Sequence, residues 1–266
     1  MRSFEQELKL AVRSSLEAGR AIREIYGSED FGVEMKDDNS PLTKADRAAH
    51  AVIMRELAES GLPVLSEEGK SIPYEERSGW SRFWLVDPLD GTKEFISGNG
   101  EFTVNIALIQ DGIPVAGVVY VPVTDELYFG ESEGGGYYCS SAARLSRSLA
   151  NMPEECRRLP LEKRQERFRV VGSRSHMNAE TGSFIDNLRK THPDLEIVQW
   201  GSSLKICMIA SGEADIYPRF GPTMEWDTAA GDAVARSAGK RLVNPETGQE
   251  LRYNKESLLN PCFIAR

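Results

Sequence analysis

Histidine is scarce in this chain: His50, His176 and His192 are the only three among 266 residues. No HExxH pair or histidine triad occurs, which disfavours the imidazole-based zinc hydrolases. Cysteine is almost as rare. Cys139, Cys156, Cys207 and Cys262 include no CxxC pair, so a thiolate zinc site is disfavoured and a reduced, cytosolic protein is the simplest expectation. Long apolar runs are missing, and none approaches the roughly 18 residues needed to cross a bilayer. The N-terminal stretch MRSFEQELKLAVRSSLEAG mixes acidic with apolar residues and reads as an amphipathic helix rather than a signal peptide. Peripheral association with the inner membrane surface and formation of a homodimer stay open. Positive charge is in the minority, with a formal net charge of -9, which argues against binding a nucleic acid polymer. A small anionic substrate is compatible with that balance, because a bound cation can reverse the field inside a cleft. Internal repeats and low-complexity tracts are absent.

What is present is a globular balance of 40% hydrophobic and 27% charged residues, with enough chain for one large domain or two fused lobes. Apolar spacing (Phe4, Leu8, Ala11, Val12, Leu16, Ile22, Ile25) predicts a helix over 4–26, ended by Gly27. The polar segment Met35–Pro41 breaks periodicity and is expected to be a mobile loop. A second helix is expected over 43–60, stopped by Gly61, followed by a short strand at Pro63–Ser66. The FWLV pattern predicts a buried strand over Arg82–Asp87. FTVNIALI, IPVAGVVYVP and ELYFGE follow as strands, the first two joined at Asp111-Gly112, and Gly134–Gly136 is read as a turn. The charged stretch 141–167 is read as a surface excursion and lobe boundary. Strands FRVVGS, LEIVQW and ADIYPR then alternate with helices near 178–190, 202–211 and 226–238, before a final short strand. This alternation implies a layered α/β architecture. An N-terminal lobe over 1–140 and a C-terminal lobe over 141–266 are expected to form one continuous catalytic unit.

The strongest local signal is WLVDPLDGTKEF, Trp84 to Phe95. Its strand is expected to end at Asp87, with Pro88 turning the chain out of the sheet and Asp90 returning beside Asp87. Two carboxylates and the exposed Leu89 carbonyl are hard oxygen ligands of the kind magnesium prefers. Gly91 permits an unusual backbone angle, and Thr92 can open a helix whose amides cradle a phosphate. Upstream, Leu65-Ser66-Glu67-Glu68-Gly69 puts acidic residues directly after a strand. Downstream, Glu225-Trp226-Asp227 begins a helix in which Ala229, Ala230 and Gly231 allow close packing on a sheet. Taken singly, these are a solvated turn and a helix cap. Together they are carboxylates that would repel one another without cations, and a magnesium pair would both neutralise them and serve phosphoryl transfer to water.

VDPLDGTKEF together with EWDTAAGDAV resembles the lithium-sensitive, magnesium-dependent phosphomonoesterases of the inositol monophosphatase superfamily. Lys93-Glu94-Phe95, GEFTVNIALI and GSSLK…YPRFGPTMEWDTAAG are similar to its bacterial 3'(2'),5'-bisphosphate nucleotidase branch, which forms AMP from 3'-phosphoadenosine 5'-phosphate in the nucleotide recycling of sulfur assimilation. The likeness runs from SPLTKAD to ESLLNPCF, and departs from the branch over 141–167. It implies an αβαβα sandwich with two or three Mg2+ ions per active site. It implies Glu67, Asp87, Asp90 and Asp227 as side-chain ligands and Leu89 as a ligand through its carbonyl. Glu67 and Thr92 would activate the attacking water, assisted by Asp46 from the mobile loop. The amides of Gly91 and Thr92 would hold the scissile phosphate. His176, Ser202, Lys205 and Arg219 would contact the nucleotide and its second phosphate. For Thr43 and Asp46 a plain helix cap stays open, and an inositol-phosphate phosphatase on the same scaffold is the alternative activity.

Overall fold

The computed structural model describes residues 4–28, 30–36, 41–147, 156–162, 167–173 and 178–266. Helix α1 spans Phe4–Tyr26. Its buried side chains Leu8, Ala11, Val12, Ala18 and Ile22 recur at helical spacing and enter one core. Gly19 sits where this helix crosses Tyr120: a Cβ there would lie 2.2 Å from the Tyr120 ring. Helix α2, Lys44–Leu57, buries Ala45, Ala49, Ile53 and Leu57 at steps of four. The two helices cover one face of a seven-stranded sheet.

Two short strands, β1 (Glu34–Met35) and β2 (Pro41–Leu42), pair antiparallel. The loop expected over Met35–Pro41 is therefore a ladder at both ends, and residues 37–40 lie outside those described. The seven-stranded sheet runs in chain order from β3 (Val64–Ser66) through β4 (Arg82–Asp90), β5 (Thr103–Gln110), β6 (Ile113–Val121), β7 (Glu126–Glu131) and β8 (Gly135–Cys139) to β9 (Arg157–Arg158). A short helix α3 (Tyr74–Arg77) precedes β4, and helix α4 (Thr92–Ser97) follows it. Only the β3–β4 pair is parallel. Alternation along β4 explains its continuous apolar run, since Trp84 and Val86 enter the core under α1 while Phe83 and Leu85 enter a second core on the other face.

That second face is covered by α6 (Leu204–Ser211) and α7 (Glu225–Ser237). Glycines in the sheet set the closeness of α7. A Cβ on Gly117 would lie 2.5 Å from the Ala230 carbonyl oxygen, and one on Gly130 would lie 2.2 Å from Ser237 Oγ. Gly231 faces α6 instead, where its Cβ would meet Ile206 at 3.0 Å. Beyond these helices lies a second layer of strands. β10 (Arg169–Ser173) runs parallel to β11 (Glu196–Trp200), and β12 (Tyr217–Arg219) is paired with β14 (Phe263–Ala265), which also pairs with β13 (Leu242–Val243). A parallel bridge between Val170 and Ile216 joins the two groups. Helix α5 (Ala179–Arg189), capped by Asn178, closes the outer face through Ile185 against Val170, Leu195 and Ile216. The stacking is helix, sheet, helix, sheet, helix, as the resemblance implied.

Two further expectations are corrected. Gly135 and Gly136 are not a turn but open β8, because the turn closes earlier at 132–134 and Gly136 passes 2.6 Å from Ser237 Oγ when given a Cβ. The four cysteines are not all thiols: Cys139 and Cys156 form a disulfide, while Cys207 and Cys262 are free. The register explains it, since Tyr138 pairs with Arg157 across β8 and β9, which places the next residues outward, Cys139 and Cys156, opposite each other. No described helix is long and apolar enough to cross a membrane.

Candidate active site

Strand β4 does not end at Asp87, and Pro88 does not turn the chain away. Asp87 pairs with Asn105 and Asp90 with Thr103, so three steps on β4 match two on β5. This bulge has a chemical consequence. Residues three apart on a regular strand face opposite sides, but one extra residue brings Asp87 and Asp90 to the same side. Proline, lacking an N–H, is tolerated at such an irregularity. Past the bulge, Gly91 takes φ 94° and opens α4 at Thr92. A Cβ on Gly91 would stand 3.3 Å from both the Glu101 carbonyl oxygen and Ser202 Cβ. Leu89 buries its side chain in the core under α1, and its carbonyl lies 3.4 Å from Thr92 Oγ1.

Around this turn the other carboxylates gather. Glu67 follows β3 and its amide donates to the Val86 carbonyl at 3.1 Å. Asp227 occupies the first turn of α7, where its Oδ2 accepts the Met224 amide at 2.8 Å. Asp90 Oδ2 is 2.8 Å from Ser203 Oγ and accepts from Asn105 Nδ2 at 3.3 Å. Ser203 Oγ also lies 2.6 Å from the Asp227 carbonyl oxygen, so one hydroxyl ties the bulge to α7. Burial and the negative charge of Glu67, Asp90 and Asp227 push the Asp87 carboxyl well above the usual range. Burial, with Asp90 next, pushes Asp227 up to about 8. Glu67 is raised by burial and shares a hydrogen bond with Asp87.

Asp46 lies in the first turn of α2, not in a mobile loop. Its Oδ2 accepts the Thr43 amide at 2.7 Å and the Thr43 hydroxyl at 2.5 Å, and its Oδ1 accepts from Thr92 Oγ1 at 3.2 Å. The helix cap and the contact with Thr92 thus use the same carboxylate. Burial raises its pKa.

A cavity of about 320 Å³ is lined by Glu67, Asp90, Gly91, Thr92, Ser202, Lys205, Arg219 and Asp227, among others. Asp87, 1% exposed, sits behind this surface. Lys205, on α6, is buried; its ammonium donates to the Ser202 carbonyl at 2.7 Å and lies 5.9 Å from the Tyr217 ring centre. Desolvation lowers its pKa to about 8, and neighbouring Arg219 adds to the lowering. Arg219 donates from one terminal nitrogen to the Pro222 carbonyl at 2.9 Å, while its buried Nε has no partner. Ser202 takes φ 43° with its buried Oγ unpartnered. His176 lies outside the described residues.

The donor set suits a hard divalent cation: it is all oxygen, and its members raise one another's pKa in a way that positive charge would relieve. As they stand, no three His, Cys, Asp or Glu side chains among the described residues are arranged to hold an ion. A cation of the chain itself is already there. Lys36 Nζ lies 2.9 Å from Glu67 Oε1 and 2.5 Å from Glu68 Oε1. Sequence reasoning passed over Lys36, inside the segment read as a loop, and Ser203, which nothing in GSSLK distinguishes from Ser202. It also passed over Glu101, whose Oε2 accepts the Gly201 amide at 2.7 Å.

Known proteins resemble this chain over nearly its whole length. The chain is 48% identical over 250 residues to the 3'(2'),5'-bisphosphate nucleotidase CysQ of Escherichia coli (strain K12), covering 92% of this chain and 94% of that one. It is 30% identical over 266 residues to the CysQ of Haemophilus influenzae, covering 98% and 92%. The crystal structure of CysQ from Bacteroides thetaiotaomicron superposes with a TM-score of 0.89 at 49% identity, over 99% of this chain and 97% of that one. The extragenic suppressor protein suhB from Bartonella henselae superposes with a TM-score of 0.74 at 26% identity, over 99% and 93%. The sequence pattern of the inositol monophosphatase family matches residues 4–261, and the chain belongs to that family.

Proposed function

We propose that the chain is a magnesium-dependent 3'(2'),5'-bisphosphate nucleotidase, which hydrolyses the 3'-phosphate of 3'-phosphoadenosine 5'-phosphate to AMP and phosphate. In this reading it serves the nucleotide recycling of sulfur assimilation, in the cytoplasm, with a homodimer and a peripheral place on the inner membrane both compatible. The observation that carries the reading is the mixed charge of one cavity: carboxylates Glu67, Asp90 and Asp227 share its lining with buried Lys205 and half-buried Arg219. The likeness to the nucleotidases named above supports it.

Glu67, Asp87, Asp90, Asp227 and the Leu89 carbonyl would hold two or three Mg2+ ions. When bound, magnesium supplies a water of lowered pKa and charge neutralisation on the phosphoryl oxygens. Thr92 and Glu67 orient the attacking water. Asp46, accepting from Thr92 Oγ1, sets which way that hydroxyl points. The amides of Gly91 and Thr92 hold the scissile phosphate at the start of α4. Lys205 and Arg219 grip the phosphate that does not react, with Ser202 and His176 on the nucleoside. An inositol monophosphate has no second phosphate for Lys205 and Arg219 to hold.

The test is the ratio of kcat/KM for 3'-phosphoadenosine 5'-phosphate over adenosine 3'-monophosphate, in the wild type and in Lys205→Ala/Arg219→Ala. Each charged hydrogen bond contributes about 1.5–3 kcal/mol, and about 1.4 kcal/mol is tenfold. Removing both should lower the ratio on the order of a hundredfold or more. An unchanged ratio in a folded variant would return both residues to ordinary charge and revive the inositol-phosphate activity.

A further inference from the structure

Trp200 plays no part in the scheme above, yet it lines the same cavity as Lys205 and Arg219. It is the last residue of β11, paired with Ser173, and it is 37% exposed, unlike Trp84, which is fully buried. Among the described residues no ring or cation is stacked on its indole. Its backbone is held firmly from the next residues onward. The Gly201 amide is fixed by Glu101, a Cβ on Gly201 would stand 2.8 Å from the Glu101 carbonyl oxygen, and Ser202 sits at φ 43°. A large apolar ring on a rigid turn, lining a polar cavity that also holds Lys205 and Arg219, is a surface for another flat ring. The purine base is the part of a bisphosphate nucleotide with a π-face, and the sugar and phosphates match the polar remainder of the cavity.

We propose that Trp200 is the platform on which the substrate's nucleobase stacks, which makes it a residue that separates nucleotides from base-free phosphate esters. The inference rests on the bisphosphate nucleotidase reading. Stacking also supplies remote binding energy that helps place the reacting phosphate.

Two measurements on wild type, Trp200→Ala and Trp200→Phe test it. The first compares kcat/KM for 3'-phosphoadenosine 5'-phosphate with that for the methyl riboside 3,5-bisphosphate, which keeps both phosphates and lacks the base. Loss of stacking should lower the nucleotide value in Trp200→Ala by roughly 5- to 100-fold, leave the base-free value within about twofold, and be largely restored in Trp200→Phe. The second is quenching of tryptophan emission by AMP, expected in the wild type and much reduced in Trp200→Phe. Equal losses on both substrates, or no loss on either, would overturn the platform. A wild type that fails to hydrolyse the bisphosphate nucleotide, yet loses its AMP quenching with Trp200, would overturn the nucleotidase reading while keeping the ring contact.

Discussion

Thr92 Oγ1 donates to Asp46 Oδ1 across 3.2 Å, while the other Asp46 oxygen is held by the Thr43 amide at 2.7 Å. A helix cap on α2 thereby fixes the acceptor for the first hydroxyl of α4. With its proton directed to Asp46, Thr92 presents a lone pair to the cavity. Thr92→Val removes that hydroxyl at nearly constant volume. Turnover should fall by about 10²–10⁴, the usual scale for assisted proton transfer, with the magnesium activation midpoint little changed. Steady-state kinetics across a magnesium titration reads both, and an equal loss of magnesium binding would make Thr92 a support for the ion instead.

Asp90→Asn keeps the shape of the bulge and can keep the contact with Ser203 Oγ, now 2.8 Å from Asp90 Oδ2. It removes one negative charge from a crowded set. Hydrolysis should fall on the order of a thousandfold or more, because the activation of water is assigned to the metal. Thermal unfolding without magnesium should show the fold intact. Normal turnover would remove Asp90 from the site.

Lys205 gives the account a pH dependence of definite sign. Desolvation lowers its pKa to about 8, so the folded protein carries the ammonium below that pH and loses it above. The grip on a second phosphate is therefore present at neutral pH and weakens as pH rises through about 8. The profile of kcat/KM reports groups of the free enzyme. For the bisphosphate it should bend downward near that pH, and for adenosine 3'-monophosphate it should not. Lys205→Arg, which stays charged, should shift the bend to higher pH. Identical profiles for both substrates would contradict the assignment.

The long helices and central strands were legible because their apolar residues repeat with helical or strand period against large cores. Leu8, Ala11, Val12 and Ile22 mark one face of α1, and Trp84 to Val86 alternate between two cores. The string around Asp87 and Asp90 was legible as a carboxylate turn, but its mechanism was not. Only pairing with β5 turns the Pro88 interruption into a bulge. The disulfide was hidden for the same kind of reason, since Cys139 and Cys156 are brought together by the β8–β9 register, 17 residues apart in sequence. Ser203 and Lys36 act through distant partners, Asp90 and Glu67, so no local pattern announces them.

The most direct measurement is phosphate release by the wild-type protein from 3'-phosphoadenosine 5'-phosphate, inositol 1-phosphate and fructose 1,6-bisphosphate, each with magnesium and again with a chelator. The account predicts a clear preference in kcat/KM for the nucleotide and no release from any substrate in the chelator. Faster hydrolysis of inositol 1-phosphate, or release that persists without magnesium, would contradict it.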